Sequence, residues 1–123
     1  MEYIADTVAV IRHFSKTGRM GNNAGRILRD ADSGLHTIGI SIISLVEILY
    51  LSEKNRIPLD FRDAKNRIRH VDNYKVTDLD MDIVGISKTV QGLELHDRLI
   101  VATALFLNVP ILTSLQCRCR ICR

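Results

Sequence analysis

The stretch Thr37-Ile38-Gly39-Ile40-Ser41-Ile42-Ile43-Ser44-Leu45-Val46-Glu47-Ile48-Leu49-Tyr50 decides the fold class. Thr37 to Ile40 is rich in β-branched residues and bounded by glycine and serine signals, the pattern of a buried strand. Ser41 then stands where a helix N-cap is wanted. The apolar run after it reads as a helix with Ile42, Val46, Leu49 and Tyr50 facing inward. A strand that passes straight into a helix is the repeating unit of a parallel sheet.

The same unit recurs along the chain. Tyr3 to Asp6 reads as a first strand, and Thr7 to Lys16 as a helix with Val8, Ile11 and Phe14 on one face. Gly21-Asn22-Asn23 breaks the pattern before a helix from Ala24 to Asp32, whose apolar stripe is Ala24, Ile27, Leu28 and Ala31. Beyond Pro58 the spacing predicts helices over Asp60 to His70, Met81 to Val90 and Asp97 to Asn108, with strands at Tyr74 to Thr77 and Val109 to Thr113. Alternation of this kind predicts an α/β fold, a three-layer α/β/α sandwich around a central parallel sheet.

Three acids occupy comparable places in this pattern. Asp6 closes the first strand, Glu47 lies within the helix after the second, and Asp97 opens the last helix. In a parallel sheet, ligands bind outside the carboxyl ends of the strands, where neighbouring connections diverge. Carboxylates gathered there repel one another unless a cation neutralises them. A hard divalent ion with oxygen ligands, Mg²⁺ or Mn²⁺, suits such a set, and its chemistry is that of phosphate esters. Taken one at a time, Asp6 and Asp97 also read as helix caps and Glu47 as a solvated helix position.

The start Tyr3-Ile4-Ala5-Asp6-Thr7, the central Ser41 to Tyr50, the stretch His96-Asp97-Arg98-Leu99-Ile100-Val101-Ala102-Thr103-Ala104-Leu105 and the final Asn108-Val109-Pro110-Ile111-Leu112-Thr113-Ser114 resemble PIN-domain ribonucleases. Within that family the chain is most similar to VapC-type toxins of toxin–antitoxin pairs, over about Tyr3 to Ser114. The resemblance implies a metal-dependent endoribonuclease that cleaves RNA. It assigns the catalytic acids as Asp6, Glu47 and Asp97, with Asp6 and Asp97 as direct ligands of Mg²⁺ or Mn²⁺. It also implies an antitoxin partner and a homodimer. The family pattern has a fourth acid two residues after the threonine of the last strand, where this chain has Leu115. That departure leaves a second reading: a degenerate PIN domain with weak or no nuclease activity that keeps a binding or regulatory role.

Composition sets the limits around these motifs. At 123 residues, 46% hydrophobic and 25% charged, the chain has the size and makeup of one ordinary globular domain. It contains no apolar run of the roughly 18 residues a membrane span needs and no basic-then-apolar leader pattern, so the expected location is cytoplasmic. The formal charge of +3 comes from Arg118, Arg120 and Arg123, because the preceding residues carry 14 charges of each sign. Those arginines are interspersed with Cys117, Cys119 and Cys122, a change of composition that sets residues 115–123 apart as an atypical tail beside a 1–114 domain, with a replaced or frame-shifted C-terminus as the hypothesis. Lys54, Arg56, Arg62, Lys65, Arg67 and Arg69 form a candidate RNA-facing strip. Asp78-Leu79-Asp80 imitates a phosphohydrolase signature but reads better as charged residues at a helix start.

Overall fold

The structure, a computed structural model, describes residues 1–113. Leu115 and the Cys/Arg-rich tail lie outside the described residues. In chain order the elements are β1 (Tyr3–Ala5), α1 (Thr7–Ser15), α2 (Asn22–Asp32), β2 (Ile38–Ser41), α3 (Ile42–Glu53), α4 (Phe61–His70), β3 (Tyr74–Thr77), α5 (Met81–Ser87), α6 (Leu95–Leu107) and β4 (Ile111–Leu112). The four strands form one sheet in the order β3-β2-β1-β4, and every pairing is parallel. Among the described residues, no helix is long and apolar enough to cross a membrane.

Alternation along the strands divides the core between the two faces of the sheet. Ala5, Ile38, Ile40 and Leu112 point to one face, where Val10 and Phe14 of α1, Leu28 of α2 and Ile68 of α4 cover them. Ile4 and Ile111 point to the other, against Ile100 and Ala104 of α6; α5 packs on α6. Gly39 also belongs to this second face. A Cβ there would stand 2.5 Å from Ile4 Cδ1, so glycine lets the neighbouring strand's isoleucine lie across it. Helices on both faces of a parallel sheet make the three layers that the sequence pattern predicts.

The inward face of α3 differs from expectation. Val46, Leu49 and Tyr50 are exposed, whereas Ser44 and Ile48 are buried. Apolar residues surround this helix on nearly every side, so periodicity alone does not choose a face. Tertiary bonding does: Ser44 turns to Thr7 at the start of α1, and Ile48 enters the main core. Val8 of α1 is likewise exposed, with Ala9 and Val10 taking the inward places. The last helix starts at Leu95, with Glu94 as its N-cap, two residues before the expected Asp97. Asp80 caps α5, accepting a 2.9 Å bond from the Ile83 amide, which explains the run of aspartates without a phosphohydrolase site.

Asp32 ends α2, where the negative end of the helix dipole disfavours a carboxylate. Three partners offset that cost. The Tyr74 hydroxyl donates to it, His13 Nε2 lies 2.8 Å away, and Arg67 Nη2 lies 3.5 Å away. Burial, reinforced by the bond to Asp32, pushes the Tyr74 phenol well above its ordinary range. Burial pulls the His13 imidazole below its ordinary value of 6.5, outweighing the opposing pull of Asp32. As pH falls through 6.5, the unfolded chain therefore takes up a proton that folded His13 still refuses, and stability falls. Urea unfolding at pH 7.5 and 5.5 is expected to show a larger loss for the wild type than for His13→Gln.

Candidate functional site

Strand order locates the crevice. From β1 the chain moves outward through β2 to β3 on one side, yet β4 returns to the other side of β1. The connections after β1 and β4 therefore diverge, and the gap between their carboxyl ends is where an open α/β sheet binds ligands. Asp6 immediately follows β1, and Thr113 immediately follows β4.

Asp6 is held from several directions. Its amide donates to the Leu112 carbonyl at 3.0 Å, extending the β1–β4 ladder by one bond. Its Oδ1 accepts from the Ala9 amide at 2.8 Å, capping α1. The capping role read from the sequence is thus real, and it fixes the carboxylate at the carboxyl edge of the sheet. Capping and site membership are compatible because one oxygen performs the cap.

Glu47 stands on α3 with its side chain 22% exposed. Its Oε1 lies 2.6 Å from the Thr7 hydroxyl, and its Oε2 lies 3.2 Å from His96 Nδ1. The Thr7 hydroxyl is also 2.9 Å from Ser44 Oγ. Having one proton to give, Thr7 is best matched to the carboxylate, which can only accept. The hydroxyl is buried, so this bond is costly to lose. His96 adds an ion pair whenever it is protonated.

The bridge spans three helices. Thr7 follows Asp6 on the way into α1, Glu47 is on α3, and His96 precedes Asp97 in the first turn of α6. Segments bearing all three sequence-selected acids are therefore tied together at one edge of the sheet. Asp97 itself is exposed in the first turn of α6. Among the described residues, no three His, Cys, Asp or Glu side chains form a ready-made ion cage.

The other polar candidates separate clearly. Ser41 caps α3 through the Ile43 amide at 3.2 Å. Arg98 makes no ion pair with Glu94 among the described residues; its buried Nε has no hydrogen-bond partner there. The basic strip is divided: Arg62, Lys65 and Arg69 are exposed on α4, but Arg67 turns inward over the Phe14 ring at 4.5 Å. His96 as a Glu47 partner escaped the sequence reading because a lone histidine before an aspartate carries no periodic signal. The hard-oxygen character of the acids suits Mg²⁺ or Mn²⁺, which keeps several waters and needs only one or two direct carboxylates.

Comparison with known proteins agrees with the fold. The PIN domain family model matches residues 3–114. Among solved structures, a toxin–antitoxin complex from Klebsiella pneumoniae superposes with a TM-score of 0.61 at 18% identity, over 89% of this chain and 83% of that one. VapBC2 from Rickettsia felis, bound to a DNA fragment from its promoter, gives 0.65 at 16% identity, over 90% and 86%. VapC20 of Mycobacterium tuberculosis, a sarcin–ricin loop cleaving toxin, gives 0.60 at 14% identity, over 88% and 85%. No curated protein sequence matches the chain.

Thr7 supplies the test of the bridge. Thr7→Val keeps the shape but leaves Glu47 and Ser44 without their shared hydroxyl, and chemical denaturation is expected to show a loss of about 1–3 kcal/mol. Thr7→Ser, which keeps the hydroxyl, is expected to restore most of it. Equal stability in wild type and Thr7→Val would remove the bridge from the account.

Proposed function

The chain belongs to the PIN-domain family, and on that premise we propose that it is a Mg²⁺- or Mn²⁺-dependent endoribonuclease, the toxin of a toxin–antitoxin pair. The observation that carries the reading is the Thr7–Glu47–His96 bridge, which ties the segments of Asp6, Glu47 and Asp97 together beside the crevice of the sheet. Asp6 and Asp97 would hold the ion, mostly through its own waters. When bound, such an ion polarises the scissile phosphate and lowers the pKa of an attacking water.

The chain's own groups have distinct parts in this reading. Asp6 stays fixed because its amide and Oδ1 are both bonded. Glu47 orients a water or the ion's hydration shell from a position locked by Thr7. His96, bonded to the same carboxylate and exposed, faces incoming RNA and offers a proton when charged. Asp97 presents its carboxylate from the first turn of α6.

Partners follow from the surface and from the similar structures, two of which are toxin–antitoxin assemblies. Val46, Leu49 and Tyr50 leave an apolar face of α3 uncovered, a fit for a protein partner such as an antitoxin or a second copy in a homodimer. The reading places the protein in the cytoplasm with its RNA substrate.

A degenerate PIN domain is the second reading, favoured by Leu115 in place of the family's fourth acid. In the first reading, RNA cleavage requires Mn²⁺ or Mg²⁺, stops in EDTA, and falls by more than about a hundredfold in Asp6→Ala, Glu47→Ala and Asp97→Ala with the fold retained. A wild type that binds RNA without cleaving it, yet gains cleavage in Leu115→Asp, would establish the second. Saturating Mn²⁺ is also expected to raise the melting temperature, by the equivalent of about 2.7 kcal/mol at a hundredfold excess over Kd. Asp6→Asn and Asp97→Asn should each reduce that shift, and an identical response in the double variant would rule out this site.

A further inference from the structure

A second cluster of charge, mostly positive, lines a cavity on the side where Asp32 meets Tyr74. Helices α1, α2 and α4 each contribute to it from their last turns. Each carries cations in its last turn or just beyond, where the dipole stabilises them: Arg12 and Lys16 on α1, Arg29 on α2 and Arg67 on α4. Spread over 56 residues of sequence, these four side chains line one cavity of about 400 Å³. Asp32 and His13 complete its polar wall.

The cavity has more positive charge than its own acid can answer. Asp32 is its one carboxylate among the described residues, and that group already serves Tyr74, His13 and Arg67. Neither Lys16 nor Arg29 makes an ion pair among the described residues. At His13, burial is the largest effect against protonation, and Asp32 favours protonation more strongly than either Arg67 or Arg29 opposes it. Two guanidinium groups are already placed. Arg12 Nη1 donates to the Arg19 carbonyl at 2.9 Å, and Arg67 Nη1 donates to the Phe14 carbonyl at 3.2 Å while its plane lies over the Phe14 ring.

Gly25 keeps the cavity open. It lies inside α2, where glycine costs about 1 kcal/mol relative to alanine, so its presence there needs a reason. A Cβ at this position would stand 3.1 Å from Arg29 Nη1 and 3.2 Å from Met20 Cγ. Without one, the Arg29 guanidinium lies against bare helix backbone at the cavity wall.

We propose that this cavity is a phosphoryl-binding site, separate from the acidic edge. Three guanidinium groups entering from three helices suit a tetrahedral anion whose oxygens point in several directions, whereas the two oxygens of a carboxylate are satisfied by a single arginine fork. The same group occurs as free phosphate and as the terminal phosphate of an RNA strand, and either would neutralise the excess.

Calorimetric titration in EDTA tests this with the acidic edge deprived of metal. The probes are inorganic phosphate, acetate and a single-stranded RNA decamer with or without a 5′-phosphate. Arg29→Gln and Lys16→Gln are each expected to weaken phosphate binding by about tenfold or more, with Arg62→Gln on the outer face of α4 as the unchanged control. Lys16 is exposed, so its variant reports on the cavity even if Arg29→Gln destabilises α2. Losses confined to the 5′-phosphorylated decamer would identify an RNA end as the source, and losses confined to inorganic phosphate would identify the free anion. No binding of any phosphate probe, equal affinities in all variants, or acetate bound as tightly as phosphate would overturn the proposal.

Discussion

Hydrogen bonding of β1 on both edges is the constraint on which the rest depends. Three residues, Tyr3 to Ala5, are paired in parallel with β2 on one side and β4 on the other. So short a strand is secure only because each face is also covered: Ile4 against α6, and Ala5 against α1 and α2. The next residue must leave the sheet between two diverging connections. Asp6 therefore owes its position to backbone geometry before any chemistry is asked of it.

The Thr7 hydroxyl ties that position to a neighbouring helix. A parallel sheet brings loops to one edge but does not by itself align side chains on separate helices. Thr7 aligns α1 with α3, and the other oxygen of Glu47 reaches α6 through His96. The polar side chains are thereby satisfied mainly by one another, as buried groups must be. The same helices also position charge. An acid at the start of α1 and cations at the ends of α1, α2 and α4 each follow the local dipole, whereas Asp32 at the end of α2 opposes it and is held by its partners.

Much of this was legible in the sequence. Tyr74 to Thr77 forms the strand its composition predicts, and the stripe Ala24, Ile27, Leu28 and Ala31 is the buried face of α2, because apolar residues at helical spacing among polar ones leave a single inward face. The face of α3 was not legible. With apolar residues at Leu45, Val46, Ile48, Leu49 and Tyr50, several orientations bury similar area, and the choice rests on Ser44 meeting a hydroxyl 37 residues away. The three acids stood out as places in a pattern, but their connection through Thr7 and His96 has no local signature. The basic cavity was hidden for the same reason: Arg12, Lys16, Arg29 and Arg67 meet only after three helices have packed. Within the basic strip Lys54 to Arg69, Arg67 instead folds over Phe14 toward Asp32.

The central claim is that the segments of Asp6, Glu47 and Asp97, held together through Thr7 and His96, form one divalent-ion site. Paramagnetic broadening by Mn²⁺ in the ¹⁵N-labelled chain addresses it most directly. At low Mn²⁺ the account predicts that the amide signals of Asp6, Thr7, Glu47 and Asp97 broaden together while those of Arg29 and Tyr74 stay sharp. Broadening that leaves Asp6 and Asp97 untouched, or that affects only one of them, would contradict it.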